Sequence, residues 1–327
     1  MSTRRKIILA LGNGALLLPY AALAQQAASM PRIGYLDGSL SANAPRVEAF
    51  KQGLLENGYV EGKNILIEWR SAEGKMNLIP SLATELVGLK VALIVSGGPA
   101  VTVATKAATS TIPIVMTSDT DPVATGFVAS LAKPGGNITG MSTQMPELSG
   151  KQLELLQEIV PKLSRVAVIG NSTNAGNANN LQEVERFAKA YKIKLQYLEV
   201  QNPKDMEAAF HAARQGRAQA VLVLINLVVA SQRAQFVELA AKSRLPVMHF
   251  RADFVEAGGL MTYAARQTDL DRRAATFVAK ILKGTKPAEL PIEQPTKFEL
   301  VINMKTAKAL GIKIPQSILF RADKVIE

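Results

Sequence analysis

Short runs rich in β-branched residues alternate with longer stretches whose apolar positions recur at helical spacing. The first run is Ile33–Leu36, followed by a helical stretch at Val47–Asn57 and a second run at Ile65–Trp69. A helix is predicted over Leu78–Leu89, a strand over Val91–Ser96, a helix over Val101–Thr109 and a strand over Ile114–Thr117. A second series follows, with helices at Gly150–Val160, Ala178–Tyr191, Met206–Arg214 and Ser231–Lys242. Between and after them come strands at Arg165–Gly170, Leu195–Val200, Ala220–Ile225 and Val247–Phe250. Runs such as Val221-Leu222-Val223-Leu224-Ile225 are apolar on both faces, as a parallel strand covered by helices on both sides must be. Alternation at this spacing predicts right-handed βαβ units, and so an α/β chain with two doubly wound parallel-sheet lobes.

The series change over near Gly140-Met141-Ser142, where Gly135–Gly140 has the composition of a tight turn before a strand. A second junction lies near Gly258–Tyr263. Beyond it stand one helix (Leu270–Gly284), a loop through Pro287, Pro291 and Pro295, a strand (Phe298–Asn303) and a short helix (Lys305–Leu310). That is too little for a third domain, so the chain is expected to cross back and complete the earlier lobes. The 327 residues suit two domains at roughly 150 residues each.

Residues 1–24 begin with Arg4-Arg5-Lys6, continue through an apolar stretch to Leu23 and end in Ala22-Leu23-Ala24. Basic flank, apolar core and small-x-small site in that order predict a cleaved signal peptide, with a paired arginine like that of a twin-arginine export signal. Gly12, Gly14 and Pro19 interrupt a run already short for a span, so no stable membrane insertion is expected after cleavage.

Composition removes several chemistries. The chain has no cysteine and two histidines, His211 and His249, which excludes thiol nucleophiles and thiolate metal sites and leaves no basis for a multi-histidine one. No metal or cofactor is expected. His249 ends an apolar run and reads as structural, while His211 lies on a polar helix and reads as solvated. The net charge of +11 is spread along the chain without a dense basic run or interleaved aromatics, which argues against nucleic acid. There is no Gly-x-Ser-x-Gly elbow in a strand–turn–helix setting, so no catalytic residue is assigned and an enzyme is the weakest alternative.

Ligands of open parallel sheets bind beyond the carboxyl ends of the strands. The residues there are Tyr35 and Asp37, then Ser96-Gly97-Gly98-Pro99-Ala100, then Thr117–Pro122, which holds Ser118 and Asp121. The second series offers Asn171 and Asn174, Asn226, and Phe250–Phe254, which holds Asp253. The Ser96–Ala100 segment places two glycines ahead of a helix whose first amides lack internal partners, a setting suited to a carboxylate. It lacks the phosphate-loop lysine and is no dinucleotide fingerprint. Asp121 before Pro122 could face an ammonium group or simply begin a turn. The asparagines could supply neutral donors and acceptors or cap loops. Tyr35, Phe250 and Tyr263 could wall a pocket or belong to core and rim.

Several segments resemble a known family: RIGYLD (Arg32–Asp37), GYVEGKNILIEWR (Gly58–Arg70), SGGPA, TIPIVM (Thr111–Met116), DPVATGFVASLAKPGGNITG (Asp121–Gly140), ELSGKQLELLQEIVP (Glu147–Pro161), FVEAGGLMTY (Phe254–Tyr263) and QPTKFELVINMKTAKALG (Gln294–Gly311). Together they resemble solute-binding proteins of ABC transporters with a type 1 periplasmic-binding fold, of the tryptophan/tyrosine-type group. The resemblance implies two lobes joined by a three-segment hinge near Gly140–Thr143, Gly258–Tyr263 and Pro291–Phe298. Lobe 1 would comprise residues 31–141 and 262–291, and lobe 2 residues 142–261 and 292–327. It further implies that Ser96, Gly97, Gly98, Ser118 and Asp121 hold a small-molecule solute from one lobe, and Asn171, Asn174, Asn226 and Asp253 from the other. Relatives often carry proline and an aromatic where this chain has Ile225-Asn226-Leu227-Val228-Val229, so no aromatic solute in particular is implied. The expected function is that of a periplasmic receptor delivering an amino acid or small carboxylate to a membrane permease of an ABC importer. The alternative partner is a chemotaxis receptor or sensor kinase.

Overall fold

The computed structural model describes residues 30–143, 145–174 and 176–327. The expected export segment, residues 1–24, lies outside them. The first sheet is built from β1 (Arg32–Asp37), β2 (Leu66–Ser71), β3 (Ile94–Ser96), β4 (Ile114–Asp119) and β5 (Ile138–Ser142), interleaved with α1 (Ala44–Glu56), α2 (Ile79–Gly88) and α3 (Pro99–Ala108). The chain then runs through α4 (Met145–Ile159), β6 (Arg165–Gly170), α5 (Asn177–Ala190), β7 (Lys194–Glu199), α6 (Asp205–Gln215) and β8 (Ala220–Val223). It continues with α7 (Leu227–Ser231), α8 (Arg233–Ser243), β9 (Val247–His249), α9 (Ala252–Glu256), β10 (Met261–Ala265) and α10 (Gln267–Leu282). It closes with β11 (Phe298–Asn303), α11 (Met304–Leu310), α12 (Gln316–Arg321) and β12 (Lys324–Ile326).

The first sheet has the order β2-β1-β3-β4-β5 and is parallel throughout. The second has the order β12-β11-β10-β9-β8-β6-β7, parallel except where β10 meets β11. The predicted class, two doubly wound parallel-sheet lobes, is the one observed. Both sheets are buried on both faces. One face of the first packs Ile33, Phe50, Val95 and Phe277, and the other packs Leu36, Ile79, Leu86 and Ile94. The second does the same with Leu156, Val168, Leu222 and Ile302 against Ile169, Phe210, Val223 and Phe236. Two-sided cover explains why the strands read as unbroken apolar runs rather than alternating ones.

Three segments run between the sheets. The first leaves β5, where Thr143 N donates to the Asp119 carbonyl at 2.7 Å. The second follows β10, and α10 returns to pack against α1 of the first lobe. The third precedes β11 and lies beside the first, since Ser142 N donates to the Glu293 carbonyl at 2.8 Å and Glu293 N to the Gly140 carbonyl at 3.0 Å. The helix expected over Ser231–Lys242 is α8, and a separate short helix, α7, precedes it without a counterpart in the predicted elements. Gln232 between them has φ −109° and ψ 32°, outside the helical region. Both helices bury apolar side chains in one core, including Val229 and Phe236. The pair α12 and β12 had no counterpart in the predicted elements; their short apolar pattern acquires meaning only against β11. Among the described residues, no helix is long and apolar enough to cross a membrane.

Candidate functional site

In each sheet the strand order reverses at one place, between β1 and β3 in the first and between β6 and β8 in the second. Loops beyond the carboxyl ends of strands at such a reversal leave a crevice. Here the two crevices face one another. From the first lobe Arg46, Gly97, Gly98, Pro99, Ser118 and Thr143 line a shared chamber, and from the second Ile225, Leu227, Ala230, Phe250 and Arg251 close it, with Gln267 of α10 at its edge. The chamber is about 30 Å³, far below the several hundred Å³ usual for a small-molecule site. Leu227, Phe250 and the two arginines are the bulkiest side chains of its lining.

Two larger cavities share lining residues with the chamber. Past Arg46, Arg251 and Gln267 lies a cavity of about 600 Å³ with a polar, charged lining that includes Asn43, Arg233, Asp253 and Glu299. Past Leu227 lies a cavity of about 570 Å³, lined by one face of α3 (Ala100, Val103, Ala104, Ala107) and rimmed by Asn171, Asn174 and Asn202. The lobes touch directly at several points. Arg233 Nη1 donates to the Ala42 carbonyl at 3.3 Å, Met76 packs into the core of the second lobe, and Leu227 packs against that of the first.

Local chemistry explains the Ser96–Ala100 turn. Gly97 lies so close to Asp37 that a Cβ there would stand 2.2 Å from Oδ2, and Gly98 has φ +136°, which side-chain-bearing residues rarely adopt. Pro99 then opens α3 at a position where no amide donor is needed. Beneath the turn, Ser96 Oγ and Thr102 Oγ1 share a hydrogen bond of 2.6 Å, and Thr102 Oγ1 donates to Asp119 Oδ2 at 2.8 Å. Asp119 is fully buried, its Oδ1 has no partner, and burial pushes its pKa up to about 7 against the opposing pull of Thr102. Asp37 accepts through Oδ1 from Ser39 N at 2.8 Å and Asn43 Nδ2 at 2.7 Å, leaving Oδ2 without a partner.

Arg46 forms the floor of the cleft. Its Nε donates to Asp271 Oδ2 at 2.7 Å, and Nη2 reaches Asp271 Oδ1 at 3.1 Å and Thr117 Oγ1 at 3.2 Å. Burial alone would lower the guanidinium's pKa, but the adjacent Asp271 carboxylate outweighs it and holds Arg46 charged. Across the gap, Asp253 receives Arg251 and Arg233. Burial would raise its pKa, and the two guanidiniums more than offset that, holding it below the usual carboxylate range.

Of the residues read from the sequence, Gly97, Gly98, Ser118 and Phe250 line the central chamber. Asp253 lines the larger charged cavity, and Asn171 and Asn174 line the apolar one. Ser96 and Asp37 sit directly beneath the turn. Four others have different surroundings. Tyr35 is wholly buried in the first lobe's core, its ring 5.0 Å from Phe50 and 4.9 Å from Trp69. Asn226 is saturated by its own backbone neighbours: Oδ1 caps α7 at Val228 N and Val229 N, and Nδ2 donates to the Gly170 and Val200 carbonyls. Asp121 caps a turn, with Oδ1 accepting from Ala124 N at 3.0 Å. Tyr263 packs against Phe298, away from the chamber. The sequence did not single out Arg46, Thr143, Leu227, Arg251 or Gln267.

His249 is buried as expected of a structural histidine, stacked on Phe254 at 5.0 Å, but both ring nitrogens lack partners and burial pulls its pKa down to about 3. Among the described residues no three of His, Asp and Glu come together as metal ligands.

Two α/β lobes whose strand-end loops meet across a shared cleft define the architecture of a two-lobed binding protein. A family model described as ABC transporter substrate binding protein matches residues 40–326, and the chain belongs to that family. A solved structure titled as an ABC domain in complex with L-Trp, from Streptococcus pneumonia, superposes with a TM-score of 0.85 at 27% identity, covering 91% of this chain and 100% of that one. A conserved domain protein from Vibrio cholerae gives a TM-score of 0.85 at 28% identity, covering 90% and 99% respectively. A tyrosine-binding protein of Clostridioides difficile is 27% identical over 266 residues, 81% of this chain and 76% of that protein.

Proposed function

We propose that this chain is the exported receptor of an ABC importer, taking up an amino acid or related small carboxylate between its lobes and presenting it to a membrane permease. The observation that carries this is the meeting of both switch-point crevices at one chamber, lined by Gly97, Gly98 and Ser118 on one side and Phe250 and Arg251 on the other. A solute there touches both lobes, so its contacts favour the closed arrangement over one in which the lobes have parted. The solute sits where the small chamber meets the larger cavity, at Arg46, Arg251 and Gln267. The relatives named for tyrosine and solved with L-Trp support an amino acid or a molecule of similar size. The basic, apolar and small-residue succession over residues 1–24 supports export, and with it a periplasmic setting.

The test is thermal unfolding and titration calorimetry of the chain from residue 25 onward against the protein amino acids and small organic acids. Binding raises the unfolding midpoint in proportion to the logarithm of ligand concentration above Kd. Concentration-dependent stabilisation by at least one member is expected, and Gly97→Ala should abolish it. A flat response across the panel overturns the assigned solute class.

A further inference from the structure

Five helix-to-strand turns among the described residues share one feature. Helices commonly end on a residue in the left-handed region, and glycine is the usual choice because it has no Cβ to clash. Here that position is basic: Lys90 (φ 53°), Lys162 (φ 54°), Lys192 (φ 57°), Arg217 (φ 55°) and Arg244 (φ 53°). The turns close in the ordinary way, with Ile193 N donating to the Ala188 carbonyl at 2.8 Å and Ala218 N to the Ala213 carbonyl at 2.9 Å. A cation there suits the negative end of the helix dipole. That accounts for the sign of each charge, but not for what the four in the second lobe make together.

Topology puts those four in a row. They precede β6, β7, β8 and β9, which are neighbours in the order β9-β8-β6-β7. Register aligns Arg165 with Lys194, Val166 with Ala220 and Val221 with Val247, so the four fall one to three positions before a common level. Strands about 4.8 Å apart spread them over about 15 Å of the sheet edge opposite the cleft. All four are exposed. The four turns, residues 160–165, 189–194, 214–219 and 242–246, contain nine Lys or Arg and no carboxylate. Near the ends of α4 and α8, Glu158 and Glu238 are held by Arg321 at 3.0 Å and Lys242 at 2.6 Å. At 1.5 Å per residue, Glu185 lies about 10 Å and Glu207 about 15 Å back along their helices, and Glu327 follows β12, three strands beyond β9. Beside Lys192, Tyr191 is 51% exposed, its ring stacked on Phe187 at 4.3 Å. The base of the first lobe lacks this pattern, since Lys90 stands alone there and the turn after α1 uses Gly58 at φ +86°. In the sequence the four turns stand 25–30 positions apart, so no basic run is visible.

We propose that the base of the second lobe docks on the anionic headgroups of a phospholipid bilayer. The choice of lipid rests on the export proposed above, which sets the chain beside phospholipid rather than nucleic acid. Each Lys or Arg near a negatively charged membrane surface adds attraction, and a tyrosine ring settles at the headgroup level. Docking there leaves the cleft, at the other end of the strands, free to take up solute. The mature chain would be sedimented with vesicles of phosphatidylcholine alone and of phosphatidylcholine mixed with phosphatidylglycerol, at low and high salt. Binding is expected only to the anionic vesicles, and should fall steeply as salt screens the charges. Lys192→Gly with Arg217→Gly removes two charges where glycine's backbone is at ease, so the variant should fold as the parent does. It should partition about 25-fold more weakly, at roughly fivefold per charge. Lys90→Gly, on the first lobe, should change nothing, and Tyr191→Ser should weaken binding without altering its salt dependence. Equal binding to neutral vesicles, no binding to either, or a double glycine variant that binds as the parent does overturns the inference. Equal affinity for single-stranded DNA at the same salt overturns the assignment to lipid. Solute response by calorimetry on the same samples should stay at the parent's level, which separates a failure of this surface from a failure of the receptor function.

Discussion

Replacing Asp271 by alanine removes the carboxylate on which Arg46 makes two hydrogen bonds, and leaves Thr117 Oγ1 at 3.2 Å as its remaining side-chain partner. Both members of the pair are buried, Asp271 completely and Arg46 to 7% exposure. Breaking such a pair by removing one partner costs about 3–5 kcal/mol, because a buried charge is left uncompensated. For a domain of this size, each kcal/mol moves the unfolding midpoint by roughly 2–4 °C, so Asp271→Ala should melt on the order of 10 °C below the parent. The pair also joins α1 to α10 beneath the cleft, so the loss should appear in the first lobe's unfolding. Differential scanning calorimetry of the mature chain, with urea unfolding followed by circular dichroism, reads both effects. Replacing both charges by apolar residues of similar length, Arg46→Met with Asp271→Leu, should recover most of the loss, since a matched apolar pair has no desolvation to offset. A single variant melting within about 2 °C of the parent, or a double variant no better than the single, would refute this account of the cleft floor.

Three further outcomes follow from the same geometry. Asn226→Ala removes the cap of α7 and leaves the Gly170 and Val200 carbonyls without a donor, and should cost about 2–4 kcal/mol by urea unfolding. A loss under about 0.5 kcal/mol would show that these bonds are not formed in solution. Gly97→Ala places a methyl 2.2 Å from Asp37 Oδ2, and should lower stability by about 1–3 kcal/mol while removing ligand-induced stabilisation in the same melts. Asp119, whose pKa is raised to about 7 in the fold, binds more protons folded than unfolded between its unfolded value near 4 and pH 7. Its contribution to stability is therefore fully present below pH 4, falls as pH rises through that window and levels off above pH 7. Asp119→Asn should accordingly stabilise the chain at pH 8, by up to about 4 kcal/mol at 1.4 kcal/mol per pH unit, with little effect at pH 4. Buried neutral His249 acts in the opposite sense, its contribution being lost as pH falls below 6.5 toward 3, so the comparison of parent and variant at each pH isolates Asp119.

The architecture was legible because it rests on local signals. Two-sided burial writes a strand as an apolar run, and Phe298–Asn303 was predicted with the bounds observed for β11. The position of ligand loops beyond strand ends is likewise a property of topology, so Gly97, Gly98, Ser118 and Phe250 could be found without coordinates. Burial on both faces, however, erases the alternation that tells which side a strand residue faces. Tyr35 therefore stood among the pocket candidates although core or rim was the better reading of it. Asn226 illustrates a second limit, since an asparagine after a strand is equally suited to contact a solute or to cap the next helix, and only its four hydrogen bonds decide. Arg46 marks a third. Its partner Asp271 lies 225 positions away, and no spacing in the sequence connects a residue near the start of α1 with one in α10. Arg251 stood within the strand-end segment Phe250–Phe254, yet its importance comes from sharing Asp253 with Arg233, a contact made by folding.

The central claim is that one solute holds both lobes together, and the distance across the cleft tests it most directly. The chain has no cysteine, so Thr84→Cys on α2 and Asn202→Cys beyond β7 place two unique spin labels on opposite walls of the apolar cavity. Pulsed dipolar measurements would be made without solute and with a saturating concentration of whichever amino acid or small organic acid binds by calorimetry. A broad or longer distribution that collapses to a single short distance on binding is the predicted result. A solute that binds yet leaves the distribution unchanged would contradict closure around a shared ligand.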